Sequence, residues 1–115
     1  ARDRRLFNQG HAVAHALGRF AVAHAGDDPA VYAQCRPDFQ AGCFHGVLER
    51  YFTSPRAEAA SAVAPRALDA LCRSIVAPGS PRLPLLECAH GMGHGLTARV
   101  RDDYRQSARA CDART

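Results

Sequence analysis

The sequence lacks tryptophan and lysine, and it has only three tyrosines and five phenylalanines among its 115 residues. The net charge of +4 therefore rests on arginine alone, and the arginines are spread along the whole chain. Nucleic-acid binding favours a concentrated basic patch with interleaved aromatic side chains, so we expect no nucleic-acid partner. Arg101, Arg105 and Arg109 would line one face of a helix, which we interpret as a solvated face.

Long apolar runs are also missing, and none approaches the roughly 18 residues that a membrane-spanning helix needs. No secretory signal pattern is present, so a signal, if one existed, has been removed. With 47% hydrophobic and 23% charged residues, the composition is that of a globular domain. The length predicts a single domain over residues 1–115.

Five cysteines occur without any CxxC spacing, at Cys35, Cys43, Cys72, Cys88 and Cys111. A thioredoxin-type motif, a zinc ribbon and a c-type haem attachment site are therefore unsupported. Several cysteines in a small domain are typical of an oxidising compartment, where disulfides supplement a limited core. We expect an extracytoplasmic location, which is to say periplasmic, secreted or on the outer face of the membrane.

Proline and glycine divide the chain into segments of helical length, and no alternating β pattern lies between them. Ser54-Pro55 is one of these breaks. Apolar residues recur at helical spacing, as in Leu6, Val13, Leu17 and Phe20, and again in Leu68, Leu71, Cys72 and Ile75. The sequence predicts an all-α fold with helices over 3–25, 29–36, 38–53, 65–77, 83–99 and 101–112.

An internal repeat is the most informative feature of the chain. The segment 11–17, His-Ala-Val-Ala-His-Ala-Leu, matches 90–96, His-Gly-Met-Gly-His-Gly-Leu, in the kind of residue at every position. A weaker copy at 43–49, Cys-Phe-His-Gly-Val-Leu-Glu, has Glu49 in place of the second histidine. Each copy is followed by a helix that ends in cysteine, so we predict three helical-hairpin repeats stapled by disulfides.

The three motif helices would each present two side chains four residues apart on one face. Six histidines placed at random would give only about 0.3 HxxxH pairs, whereas two occur at equivalent repeat positions. Imidazole and carboxylate from facing helices are the ligands of bundle-core sites that hold one or two ions, and zinc, copper and iron all accept them. We predict a metal site formed by His11, His15, His45, Glu49, His90 and His94.

Residues near the motifs have other predicted roles. Arg19 follows His15 by four residues, so it is placed to pair with Glu49 or with an anionic ligand. His24 is half a turn out of phase and is predicted to lie outside the site. One predicted helix contains three glycines, Gly91, Gly93 and Gly95. Together they lower helix stability by about 3 kcal/mol relative to alanine, a cost that close helix approach around an ion would offset.

Several function classes remain open at this point. An enzyme would use the ion as a Lewis acid or redox centre with Glu49 as a candidate base, and a binding module would fill every coordination position with protein groups. A disulfide-stapled interaction repeat without metal is the first alternative, and a haem held by two histidines is another. A phosphate-binding loop at 91–95 is disfavoured, because no strand precedes it and no GK[ST] follows.

The cysteines allow two pairing schemes. Pairing within a repeat would join Cys43 to Cys72 and Cys88 to Cys111. Pairing between repeats would join Cys35 to Cys43 and Cys72 to Cys88. Gln9 takes the place of the motif cysteine in the first copy, which makes sense if that cysteine's partner comes from a preceding repeat. We therefore predict the second scheme, with Cys111 left for a further repeat beyond Thr115 and the chain a fragment of a longer protein.

The cysteine and histidine pattern resembles that of a known group of proteins. Cys-x-His-Gly-x-x-Glu at 43–49 and Cys-x-His-Gly-x-Gly-His-Gly-Leu at 88–96, with cysteine-terminated helices between them, is similar to uncharacterised extracytoplasmic proteins of bacteria and archaea that carry such repeats. The resemblance implies an exported repeat domain and brings no activity with it.

Overall fold

The computed structural model describes residues 4–59, 65–76, 79, 82–101 and 103–112, which are mostly helical and contain no β-strand. The elements are α1 Arg4–His24, a 3₁₀ helix Pro29–Gln34, α2 Asp38–Phe52, α3 Pro55–Ala59, α4 Pro65–Ile75, α5 Arg82–Arg99 and α6 Tyr104–Asp112. The predicted all-α fold is confirmed. Five of the six predicted spans agree with these bounds to within two residues.

Helix α3 is missing from the predicted spans, because Ser54-Pro55 has the composition of a chain break. In the structure the same two residues begin a helix. The Ser54 hydroxyl accepts a hydrogen bond from the N–H of Ala57 at 3.2 Å. Proline suits the first helical position, since the N–H it lacks would have no partner there.

Helix α6 begins three residues later than predicted. Arg101 lies in a turn with a φ of 52°, and the Asp103 carboxylate caps the helix by accepting from the N–H of Gln106 at 3.0 Å. The predicted stripe of three arginines on one helix face is therefore wrong. Only Arg105 and Arg109 lie on α6, where both are exposed.

Helix α2 lies at the centre of the fold and packs against both α1 and α5. A left-handed turn precedes its regular part, since Phe39, Gln40 and Ala41 have φ values of 52°, 55° and 60°. The regular part carries most of the core. Its fully buried side chains pack with those of α1, α5 and the 3₁₀ helix. The fully buried side chains of these four elements are Val22, Tyr32, Val47, Leu48, Phe52, Cys88, Met92 and Leu96.

Helix α1 buries its small residues rather than its large apolar ones. The buried positions recur every four residues, at Gly10, Ala14, Gly18 and Val22. The larger side chains of the predicted apolar pattern are 46%, 62% and 68% exposed, at Val13, Leu17 and Phe20. On α4, by contrast, Cys72 and Ile75 are buried as the spacing suggests. The side chains of Leu6 and Leu68 lie outside the described residues.

Two disulfides connect successive elements. Cys35, just after the 3₁₀ helix, is bonded to Cys43 on α2, and Cys72 on α4 is bonded to Cys88 on α5. The second of the two predicted schemes is therefore confirmed. The side chain of Cys111 and residues 113–115 lie outside the described residues, so its pairing with a downstream repeat stays a prediction.

The predicted repeats differ in their second helices. In the first hairpin this element is a six-residue 3₁₀ helix, whereas α4 and α6 have 11 and nine residues. The count of three equivalent repeats and the single domain over 1–115 stay predictions. None of the described helices is both long enough and apolar enough to span a bilayer.

Candidate metal site

Five of the six histidines converge where α1, α2 and α5 meet. The rings come from His11 and His15 on α1, His45 on α2, and His90 and His94 on α5. Centroids of adjacent rings are 4.6 to 5.6 Å apart. The remaining ring, that of His24, lies outside this cluster, where it is exposed and stacks on Phe20.

Glycines beside the motif histidines let the three helices approach closely. A Cβ at Gly46 would overlap the carbonyl oxygen of His15, so α1 and α2 touch there through their backbones. A Cβ at Gly91 would lie 2.7 Å from the end of the Leu48 side chain and 3.5 Å from the α2 backbone, so α5 also packs closely on α2. This spacing brings short imidazole side chains from three helices within reach of one another.

Three of the rings form a triad, His11, His15 and His45, in which one nitrogen of each faces the others. His15 Nε2 is 3.0 Å from His11 Nε2 and 3.3 Å from His45 Nδ1. One nitrogen from each ring lies within 4.8 Å of the other two. Ligand nitrogens at 2.0–2.1 Å from a tetrahedral zinc ion would be about 3.3 Å apart. The triad can therefore hold a metal ion.

The outer nitrogen of every triad ring has its own hydrogen-bond acceptor. These are the Phe39 carbonyl for His11 Nδ1 at 2.7 Å, the Glu87 carboxylate for His45 Nε2 at 2.9 Å and the Glu49 carboxylate for His15 Nδ1. A carbonyl or an ionised carboxylate can only accept, so each outer nitrogen carries the proton and each inner nitrogen presents a lone pair. Histidines that bind metal in proteins are held in this way.

Desolvation favours the neutral form of two histidines in the cluster. His45 is only 4% exposed, and its burial lowers its pKa, an effect that the hydrogen bond it donates to Glu87 opposes and the neighbouring imidazoles reinforce. Desolvation also lowers the pKa of His94, with His90 as the second cause. Neutral imidazole is the form that binds metal.

Glu49, predicted as a ligand or a base, lies at the edge of the triad. One carboxylate oxygen accepts from His15, and the other accepts from Arg19 Nη1 at 3.3 Å. The structure thus places Glu49 between these two side chains. The first oxygen orients the His15 ring, and Arg19 holds the carboxylate through the second.

His90 and His94 lie on the exposed side of the cluster. Their Nε2 atoms are 3.1 Å apart, and both rings stack on His45, with centroid distances of 4.7 and 4.9 Å and interplanar angles of 7° and 24°. Together with one nitrogen of His45 they form a second group of ligand atoms within 4.8 Å of one another. His45 therefore belongs to both groups.

An open cleft of about 760 Å³ between α5 and α6 reaches this histidine pair. Its lining includes Glu49, His90, Gly93, His94, Thr97 and Ser107. The hydroxyls of Thr97 and Ser107 are 3.0 Å apart and connect the two helices. The exposed pair is thus the part of the cluster that faces the cleft.

Two groups in the site were not predicted from the sequence. Glu87 precedes His90 by three residues and His94 by seven, so its place on the same helix face could have been recognised. The Phe39 carbonyl has no sequence signal, because its direction depends on the left-handed turn at 39–41. Gly10 accommodates this turn, since a Cβ there would overlap the Phe39 ring.

No protein-family model, no curated protein and no solved structure matches the chain. The function of the chain is therefore inferred from the geometry of the histidine cluster, and the resemblance to exported Cys/His repeat proteins stays an expectation.

Proposed function

We propose that the protein binds a divalent transition-metal ion, zinc in the first instance, through His11 Nε2, His15 Nε2 and His45 Nδ1. The carrying observation is that three inner nitrogens face one another while all three outer nitrogens donate to acceptors. Lone pairs this close repel unless a proton or a cation lies between them. Burial of His45 disfavours an additional proton on its ring, whereas a metal ion satisfies all three nitrogens at once.

Zinc is the first candidate because of the ligand set and its spacing. Zinc, copper and iron all accept imidazole, but inner nitrogens 3.0 and 3.3 Å apart match the edge of a zinc tetrahedron. The four cysteines of the described disulfides offer no thiolate, which fits an imidazole-only site. Three protein ligands leave one tetrahedral position for water or an exchangeable group.

In this proposal the acidic residues orient ligands and do not bind the ion themselves. Glu49 accepts a hydrogen bond from His15, and Glu87 accepts one from His45. Arg19 donates a hydrogen bond to Glu49 and so holds its carboxylate in place. Such partners fix the tautomer and raise the basicity of the ligand nitrogen. Glu49 is then a positioning residue, since both of its oxygens are engaged.

An extracytoplasmic location is part of the proposal. Disulfides are compatible with an oxidising compartment and are rare in the cytosol, and the two in this structure join successive elements of the fold. A metal site that contains no thiolate tolerates such an environment, because none of its ligands is lost to oxidation.

Metal titration of the chelator-stripped protein tests the proposal. We expect zinc to bind at the triad and to raise the melting temperature, with a stabilisation of about 2.7 kcal/mol when free zinc exceeds Kd about a hundredfold. His11→Asn and His15→Asn should each lose this stabilisation. His24→Asn is the matched control on the same helix and should keep it.

The same titration tells the proposal from its alternatives. If zinc, copper and iron leave the melting temperature unchanged in the wild type as well as in His15→Asn, the domain is a structural repeat without metal. A strong visible absorption band in the purified protein would instead identify a haem.

A further inference from the structure

We infer that His90 and His94 form a second, weaker metal-binding site at the α5–α6 cleft, and that the ion reaches the triad through it. This inference rests on the proposed function of the triad and adds a second site and a route of uptake. The ligand is the same class of ion, a divalent transition metal that accepts imidazole.

The pair has the geometry of a partial metal site. The Nε2 atoms of His90 and His94 are 3.1 Å apart. A nitrogen of His45 lies within 4.8 Å of one nitrogen of each ring, so His45 can take part while the triad is empty, and the pair alone holds the second ion once the triad is filled. Both rings are exposed and line the cleft, so water can fill the remaining positions of a bound ion. Two imidazoles on one turn of a helix are a known ligand unit for transition metals.

The pair should bind more weakly than the triad, because its rings are less firmly oriented. Among the described residues, no acceptor lies within hydrogen-bonding distance of Nδ1 of His90 or His94, whereas every triad ring has one. Loss of such a partner typically lowers metal affinity 10–100-fold. Weak binding on an exposed surface also allows fast exchange, as an uptake site requires.

A single ring, that of His45, lies between the exposed pair and the triad. His45 belongs to both groups, and the His94 ring lies 5.6 Å from that of His15 and 4.9 Å from that of His45. His45 itself is 4% exposed and does not line the cleft. An ion on the exposed pair therefore needs only to exchange ligands around His45 to arrive between the inner nitrogens.

Gly93 fits the same interpretation. The neighbouring Gly91 and Gly95 are required by packing, since a Cβ at either would meet side chain or backbone of α2 closer than 3 Å. A Cβ at Gly93 would meet nothing within 4 Å. Packing therefore does not explain this glycine, and its missing side chain leaves the cleft open beside His90 and His94.

Zinc titration and stopped-flow zinc uptake by the chelator-stripped protein test the inference. The wild type should show one tight and one weaker site. The double variant His90→Asn/His94→Asn should lose the weaker site and keep the tight one. Zinc should bind to its tight site at least about tenfold more slowly, because the ion can no longer bind first at the exposed pair. Gly93→Leu retains all the histidines and should also slow uptake, and His24→Asn should change neither quantity.

The outcomes separate this inference from the proposed function. A double variant with wild-type stoichiometry and uptake rate would overturn the second site. Loss of the tight site in the double variant would overturn it as well, since the pair would then be part of the first coordination sphere of one ion. In both cases a loss of tight binding in His11→Asn would still support the triad, whereas a wild type that binds no zinc would refute both.

Discussion

The two HxxxH pairs have the same spacing and the same pattern of small and apolar residues, and they differ in what lies behind their rings. In the α1 pair, the outer nitrogens donate to the Phe39 carbonyl and the Glu49 carboxylate, both of them on α2. In the α5 pair, the rings are exposed and their Nε2 atoms face each other. The motif thus provides ligand spacing, and partners from another helix provide orientation.

The two motif helices also turn different positions of the motif toward α2. Ala12 and Ala16 are exposed on α1, but Gly91 and Gly95 at the equivalent positions of α5 are buried. Conversely, Ala14 is buried against α2, and its equivalent Gly93 lies beside the open cleft. Helices α1 and α5 therefore approach His45 of α2 differently, although their motifs align position by position.

The largest expected effect comes from removing the Cys72–Cys88 disulfide, which tethers the helix of the α5 pair. Cys88 precedes His90 by two residues and is bonded to Cys72 across 16 residues, while Gln9 stands in that place on α1. Cys72→Ala/Cys88→Ala should lower the free energy of unfolding by about 3 kcal/mol, and Cys35→Ala/Cys43→Ala, with its eight-residue separation, by about 2.5 kcal/mol. Urea denaturation under oxidising conditions measures both, and the reverse order would contradict the loop-entropy argument.

Next come the carboxylates that orient the triad, which have no counterpart behind the α5 pair in the part of the chain that the structure describes. Glu49→Gln and Glu87→Gln should each weaken zinc binding at the tight site about 10–100-fold, because a neutral amide is a poorer acceptor for the outer N–H. Competition with a zinc chelator measures the affinity. Glu58→Gln on α3 is the control, since Glu58 is exposed and should leave the affinity unchanged. Wild-type affinity in Glu49→Gln would show that His15 needs no partner.

The glycines of α5 should respond with opposite signs. A Cβ at Gly95 would lie 2.8 Å from the Leu48 carbonyl oxygen and would overlap the Phe52 ring, so Gly95→Ala should destabilise the protein by about 1–3 kcal/mol. Gly93→Ala meets open space and should stabilise it by about 0.5–1 kcal/mol through helix propensity. Thermal melts decide between them, and a destabilised Gly93→Ala would mean that the helix packs on that side too.

The smallest expected effect is the pH dependence of the metal-free protein. The folded-state pKa values of His45 and His94 lie below the ordinary 6.5, so the unfolded chain binds more protons in that range. The free energy of unfolding should therefore be highest above about pH 6.5 and should fall as the pH is lowered further. Urea midpoints from about pH 7.5 to about pH 5 measure this, and His94→Asn should flatten the profile. Greater stability in acid would contradict the burial argument.

The helices, the shared faces of the histidine pairs and the disulfide scheme followed from the sequence alone. Each depends on local spacing: i to i+4 positions share a helix face, proline and glycine limit the helices, and Gln9 in the place of a motif cysteine favoured Cys35–Cys43 and Cys72–Cys88. The exception among the helix limits is instructive, because Ser54-Pro55 suits both a break and a helix start.

The buried face of α1, the acceptors behind the triad and the contrast between the two pairs were decided only by tertiary structure. The exposed Leu17 and Phe20 and the buried Gly18 show that backbone contact with α2, rather than side-chain size, selected the buried face. The Phe39 carbonyl and Glu87 reach their histidines from positions 28 and 42 residues away in the chain. Local spacing cannot specify such contacts, because they exist only once three helices have packed at a distance set by their glycines.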